Sequence, residues 1–510
     1  MDYSEKDTSK SVVGIKFIMN NFDNPDRGTN ENPVIKDDSE TESTTFLGKL
    51  RYNGEYRIRF LHTCFVVWMF ITLGWNVSVV GGTFPDLRLI IQKDLETASW
   101  IFTLGSLGYL LGAFIGGLLF DRMNRLLLLI IVTILNALAI AAFPWCSTFP
   151  TMLAINFFSG LFNGGMDVGG NSHVASIWGR NSAPFMQTIH FGFSFGGIIS
   201  PLSAEPFLAP KSCPSELVEN ITVTAFTTTE LPVVNVTTGS EECEEVYGET
   251  HIHYAYLIAG IVSLTATIPF LCLFLLSQKY ATYVDSPLAS SDIKNENTID
   301  DLPKLSLKKK ITFVTLLMLL ISIYACTEAR FSGLLTTFLT EYLDWSTAEG
   351  LHVTSLFWGT FAAGRFLGIL VTRFVKTPTM IGIYVGALTL SFVGMFLAAR
   401  YNIEELVWAC AALAGMSMSV IFPAIFTWTG ESILNVTGTI SAVYLVGVSL
   451  FNMLFPLLYG HLMDNYTQMY FVDLLIAQCV ITICIYISIR VLLKVYVKNH
   501  DLKGNTNVVS

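Results

Sequence analysis

The chain runs to 510 residues, 52% of them hydrophobic and only 14% charged, with a formal net charge of −10 and a mean hydropathy of +0.54. Soluble globular domains carry roughly 25% charge, so a wholly water-exposed surface is excluded at this length. The acidic excess offers no basic face to a phosphate backbone, which argues against a nucleic-acid partner.

The charges crowd into residues 1–59, 205–251, 278–310 and 494–503, and apolar runs of about twenty residues fill the rest. A helix of that length crosses a hydrocarbon core of about 30 Å, and an open strand there would leave its backbone unpaired. The pattern predicts an all-α polytopic membrane protein. Its spans fall near 60–82, 98–120, 125–146, 150–178, 183–205, 253–277, 311–340, 348–372, 378–399, 403–429, 435–460 and 468–493. Twelve is the most economical count, and interruptions by Gly and Pro leave eleven or thirteen open. Residues 1–57 are polar and acidic, so a disordered cytoplasmic segment is expected there, with the first span acting as its own insertion signal. Residues 58–277 then form one six-helix half, 278–310 a polar cytoplasmic linker, 311–495 a second six-helix half and 496–510 a tail.

Orientation follows from Lys and Arg near the span ends. Arg51, Arg57, Arg59, Arg122, Arg125, Arg180, Lys279, Lys304, Lys308, Lys309, Lys310, Arg373, Lys376, Lys494 and Lys498 fall on one side of a twelve-span chain. The other side holds only Arg88, Lys93, Lys211 and Arg400, so both termini are expected in the cytoplasm. The 206–252 loop is then external, with glycosylation sequons at Asn220 and Asn235 and a Cys213/Cys243 pair in an oxidising compartment. The remaining cysteines lie in spans or at their edges and read as small apolar filler.

Span 2 carries Gly108, Gly112 and Gly116 at every fourth position, a pattern that lets helices approach closely, either as static packing or as a moving gate. Span 4 places Asn163, Asp167 and Asn171 at i, i+4 and i+8, one polar stripe flanked by glycines. A carboxylate at that depth needs water, a cation or a partner, so Asp167 reads as functional, with a structural Asp satisfied by Asn as the alternative. In span 5, Gln187 and His190 share a face, with Ser194 a turn further on, and both suit hydroxyl groups. Span 7 adds Glu328 and Arg330, which point about 200° apart, so each needs its own partner elsewhere. Trp358 and Arg365 in span 8 and Asn452 in span 11 complete the polar and aromatic candidates; Trp358, Trp428 and Tyr444 suit either stacking on a sugar ring or packing. Walker, HExxH and CxxC motifs are lacking, so no enzyme is expected.

Several of these pieces carry a family resemblance. Asp121-Arg122-Met-Asn-Arg125 resembles the Asp-Arg-x-Gly-Arg turn of major facilitator proteins, with Asn124 in place of the usual Gly. Asp167-Val-Gly-Gly-Asn171, followed by Gln187 and Ser194-Phe-Gly196, resembles the fucose–proton symporter branch of that superfamily. With Gly81-Gly82-Thr83-Phe84-Pro85-Asp86-Leu87, Glu328 and Gly364-Arg365-Phe-x-Gly368, the chain looks most like the animal sodium-dependent glucose transporter relatives within that branch, over most of residues 60–495. The resemblance implies two pseudo-symmetric six-helix halves working by alternating access, and makes Asp121 and Arg122 gating residues. It puts Asp167 at the position of a carboxylate linked to proton coupling and sugar binding, with Asn171 and Gln187 at polar cavity positions. The fucose symporter's second acid, late in span 1, is replaced here by Gly81-Gly82, with Asn76 the polar group deeper in. That departure is compatible with sodium coupling.

The expectation is therefore a monomeric, multi-pass plasma-membrane symporter of a hexose such as glucose, driven by Na⁺ and with no cofactor. Asn76, Asn163, Asp167, Asn171, Gln187, His190, Trp358 and Asn452 would contact substrate, Asp167 and Glu328 would hold the coupling cation, and Arg365 would pair with an acid in the resting cavity. A proton-coupled or facilitative carrier of another polar solute, and a sensor that kept the fold but lost transport, stay open.

Overall fold

A computed structural model describes residues 48, 50, 51, 53–120, 122–179, 182–212, 246–279, 306–372, 374–433 and 438–506. The chain divides into two compact units, Met1–Cys64 and Phe65–Ser510. In the first, Arg59 pairs with Glu55 one helical turn earlier. The elements past the first helix all belong to the second.

The helices are α1 (Gly54–Gly82), α2 (Phe84–Ile91), α3 (Leu95–Ala98), α4 (Trp100–Phe120), α5 (Arg125–Ala142), α6 (Phe149–Trp178), α7 (Ala183–Ala204), α8 (Ile252–Thr265) and α9 (Thr267–Lys279), then α10 (Leu307–Tyr342), α11 (Thr347–Val371), α12 (Thr377–Tyr401), α13 (Glu404–Ser432), α14 (Gly438–Asn465) and α15 (Tyr470–Thr506). Counting α8 and α9 as one broken rod, and setting aside the short α2 and α3, the described residues hold twelve long helical segments, the predicted number. Among them, nine are long and apolar enough to cross a membrane. The three that fall short are α6, α7 and α11, the helices that carry Asp167, Gln187 and Arg365. Polarity concentrated on three helices of a buried bundle marks the interior of the protein rather than its lipid face.

Local chemistry sets the helix ends. Asn124, the departure from the family turn, has φ −61 and caps α5: its Oδ1 accepts from Leu126 N at 3.0 Å and Leu127 N at 3.2 Å. A capping box opens α11, with Glu349 N donating to Ser346 Oγ at 3.2 Å and Ser346 N to Glu349 Oε2 at 3.0 Å. Two-residue strands β1 (Lys211–Ser212) and β2 (Val246–Tyr247) pair antiparallel and bring the ends of the long loop together.

Contacts repeat between the halves. In the first, α4 packs on α6 and α5 on α8; in the second, α11 packs on α13 and α12 on α15. The halves meet along two seams, α7 against α11 and α4 against α14. Exchanging the halves exchanges one seam for the other, as a pseudo-twofold requires. The glycine stripe of span 2 proves to be packing inside the first half. A methyl on Gly108 or Gly112 would overlap the carbonyl of Phe157 or Leu161 on α6, so these two helices touch backbone to backbone. Phe114, Leu138, Phe366 and Leu390 are exposed on the outward faces, as lipid contact demands.

Candidate functional site

Four helices of the first half are tied by a buried amide network. Asn76 Nδ2 (α1) donates to Asn136 Oδ1 (α5) at 2.7 Å and to Ser263 Oγ (α8) at 3.0 Å, while Asn136 Nδ2 donates to Asn163 Oδ1 (α6) at 2.8 Å. Asn76 and Asn163, expected at the substrate, are placed here at 1% and 7% exposure. Between apolar helices such bonds hold the half together.

One turn on, the stripe changes character. Asp167 is half-buried; its Oδ2 accepts from the Tyr109 hydroxyl of α4, and its Oδ1 accepts from Asn171 Nδ2 at 2.9 Å. Asn171 also donates to the Asp167 carbonyl at 2.9 Å, and its own Oδ1 is buried with no hydrogen-bond partner. The carboxylate is thus fixed by two neutral donors, with no cation paired to it among the described residues.

The second half also sets a tyrosine on a carboxylate, here within one helix, α10. Tyr324 donates to Glu328 Oε2 at 2.7 Å and reaches the Met418 carbonyl of α13. Arg365 of α11 lies close enough for its charge to act on Glu328, without a direct ion pair between them. Its Nη1 instead donates to the His190 carbonyl of α7 at 2.9 Å, across the seam, with the guanidinium 4.7 Å from the centre of the Phe361 ring.

The α7–α11 seam gathers the other span 5 and span 8 candidates. The His190 ring stands edge-on to Phe70 at 5.6 Å, and Trp358, only 3% exposed, packs against Phe193 at 5.9 Å and against the backbone of Gly197. Gln187 is half-buried and makes no side-chain hydrogen bond among the described residues, which leaves its amide free for a ligand. Asn452 lies on α14, a helix of the other seam; its Oδ1 is buried without a partner, and the carbonyl of the next residue, Met453, accepts from Thr103 Oγ1 at 2.8 Å. Trp428 and Tyr444 are fully buried in packing contacts. Asp121, Asn220, Asn235, Cys213 and Cys243 lie outside the described residues, and Arg122 is exposed just past α4.

Sequence reasoning missed the closure at one end of the bundle. There Arg88 of α2 pairs with Glu341 of α10, Glu205 Oε2 meets His352 Nε2 at 2.9 Å, and Glu96 receives His461 Nδ1 at 3.0 Å and Asn465 Nδ2 at 2.8 Å. These three contacts between an acidic and a basic side chain, one of them the Arg88–Glu341 ion pair, are the ones of their kind that join described residues of the two halves, and all lie at this end. Beneath them a methyl on Gly81 would lie 2.9 Å from the Gly333 Cα, so α1 and α10 also touch backbone to backbone. A cavity of about 380 Å³ beside Arg88 and Glu341 is lined by Asp86, Gln92, Lys93 and Thr340. Asp86 accepts from Ala209 N at 2.7 Å and Thr250 Oγ1 at 2.6 Å, pinning both ends of the long loop, and burial pushes its carboxyl above the ordinary 3.8. The sequence signal for this closure lies in the acids and histidines at the outer span ends, Glu96, Glu205, Glu341, His352 and His461.

Three acids outside the predicted spans stand close enough together to share a cation. Asp94, Glu96 and Asp464 bring carboxylate oxygens within 4.8 Å of one another, but Asp94 and Asp464 are exposed to water. Asp167 and Glu328 stand singly inside the helices, where a carboxylate is far more demanding of a partner.

The family model of the Major Facilitator Superfamily matches residues 66–211 and 243–501. The chain belongs to this superfamily. It is 30% identical over 404 residues to sodium-dependent glucose transporter 1 of Homo sapiens, covering 78% of this chain and 73% of that one. It is 27% identical to the transporter of the same name in Danio rerio, over 78% of this chain and 63% of that one. A solved bacterial homologue of the human lysosomal transporter Spinster matches with a TM-score of 0.56 at 13% identity, covering 87% of this chain and 96% of that chain, which shows the shared fold. The protein is therefore a multi-pass membrane transporter of a small molecule and not an enzyme.

Proposed function

We propose that this transporter is a Na⁺-coupled hexose symporter of the plasma membrane, acting as a monomer with both termini in the cytoplasm. The observation that carries the reading is the treatment of the two intramembrane carboxylates. Each is oriented by a tyrosine hydroxyl and makes no direct ion pair among the described residues: Asp167 by Tyr109, and Glu328 by Tyr324 with Arg365 nearby. A carboxylate kept at that depth without a fixed counter-ion suits a cation that comes and goes. Na⁺ prefers oxygen ligands, and the carboxylates and tyrosine oxygens supply them. The names of the relatives, sodium-dependent glucose transporter 1, support the same choice of ion and sugar.

Asn171 on α6 and Asn452 on α14 each keep an amide oxygen without a partner, and the Gln187 amide on α7 is free, so these three can meet sugar hydroxyls. Asn76 and Asn163, expected beside them at the substrate, instead engage their amides in the helix network. With the termini inside, the joined end is the outer one, and the arrangement is closed to the outside. Sugar and ion leave between the halves on the cytoplasmic side, and Arg365 holds the α7–α11 seam through His190 meanwhile.

The test is uptake of labelled glucose by cells expressing the chain, with Na⁺ exchanged for choline at fixed pH. Uptake collapses without Na⁺, and Asp167→Asn abolishes cation-driven accumulation while exchange survives. Uptake indifferent to Na⁺ but responsive to a pH jump would transfer the same carboxylate to proton coupling. Unchanged Na⁺-driven accumulation in Asp167→Asn would remove it from the mechanism.

A further inference from the structure

We propose that Arg330 forms a small-anion site between the two halves, taking a monovalent anion such as chloride or a carboxylate group. Arg330 sits on α10 two residues past Glu328 and faces the other way. Its guanidinium carbon stands 5.1 Å from the centre of the Phe102 ring on α4, so the side chain spans from the second half to the first. It is only 3% exposed, and its Nε and Nη1 are both buried with no hydrogen-bond partner. No acidic side chain among the described residues pairs with it.

The nearby polar groups deepen the imbalance. Gln478 Oε1 already accepts from Thr327 Oγ1 at 2.8 Å and from Tyr459 Oη at 3.3 Å, while Gln478 Nε2 faces only the Cys326 sulfur at 3.9 Å. The amide oxygen is filled and N–H donors are left over. The fixed guanidinium repels a cation, whereas an anion finds charge and donors together. The Phe102 ring balances part of the charge through its negative face, but a ring accepts none of the in-plane N–H groups. A guanidinium is weakly hydrated and forked, which suits a halide or a carboxylate taken out of water.

An anion bound there neutralises a buried cation where α10 meets α4 and favours the arrangement that keeps the Arg330–Phe102 contact. This role is independent of which solute is carried.

The experiment is thermal unfolding of the purified full chain in detergent, at constant pH, sodium and ionic strength. Chloride, and separately formate, replaces methanesulfonate stepwise. The unfolding midpoint rises saturably with one of the anions. The rise is lost in Arg330→Gln and weakened but present in Arg330→Lys. A response to chloride identifies an inorganic anion; a response to formate alone identifies the carboxylate of an organic ligand. No saturable response of the unaltered protein to either anion overturns the proposal, without any variant having to fold. A response undiminished in Arg330→Gln overturns it as well.

Discussion

The pair between Arg88 and Glu341 offers the sharpest test of the closed outer end. Their side chains are 19% and 22% exposed, between the surface and a sealed interior. Exposed pairs contribute about 0.2–1 kcal/mol, and removing one partner of a fully buried pair costs about 3–5 kcal/mol. A pair so placed is therefore worth about 1–3 kcal/mol to the closed state, or roughly 5- to 150-fold in its population. The effect falls on the conformational equilibrium because the partners sit on opposite halves, α2 and α10. Thr103, just beneath this layer, reports the state: its hydroxyl donates to the Met453 carbonyl across the second seam, and it is 6% exposed. In cells carrying Thr103→Cys, Glu341→Gln should raise the labelling rate by a membrane-impermeant maleimide about tenfold or more. Arg88→Gln should do the same, and the double change should add little to either single one, since they remove one interaction. Labelling unchanged by either substitution, or strictly additive effects, would refute the assignment of this pair as an outer latch.

Two further outcomes follow from groups away from the seam. Asn136→Ala removes the centre of the amide network and leaves Asn76 and Asn163 short of partners, so it should lower stability by about 2–4 kcal/mol, read as a fall in the detergent unfolding midpoint. Asp86 has its carboxyl raised above 3.8 by burial, so the folded state holds its proton more tightly than the unfolded state. Its contribution is greatest at low pH and is lost as pH rises from the unfolded value through the raised folded one. Asp86→Asn keeps an oxygen to accept from Ala209 and Thr250 and removes that dependence. The variant should show a flatter stability profile across acidic pH, and a profile as steep as the parent's would rule Asp86 out as the source.

Much of the architecture was legible because membrane insertion is decided locally. Length and apolarity of each segment are properties of adjacent residues, so the spans could be read one by one and their number matched the twelve long segments. The same holds for the polar stripe at Asp167 and Asn171, whose i, i+4 spacing becomes a real hydrogen bond at 2.9 Å. The opposed faces of Glu328 and Arg330 were also read correctly, since helical geometry alone sets them. Partners across helices were not legible. Asn163 belongs to the same stripe as Asp167, yet Asn136, 27 positions back in the chain, claims it. Tyr109 lies in a glycine-rich span, and only the meeting of α4 and α6 sets its hydroxyl on Asp167. Glu341 and Arg88 are separated by 253 residues, and only the meeting of the two halves makes them a pair. Spacing within one helix is fixed by its pitch, whereas which helix lies beside it depends on packing of the whole chain; that packing decided where this protein's charges find partners and where, at Arg330, one does not.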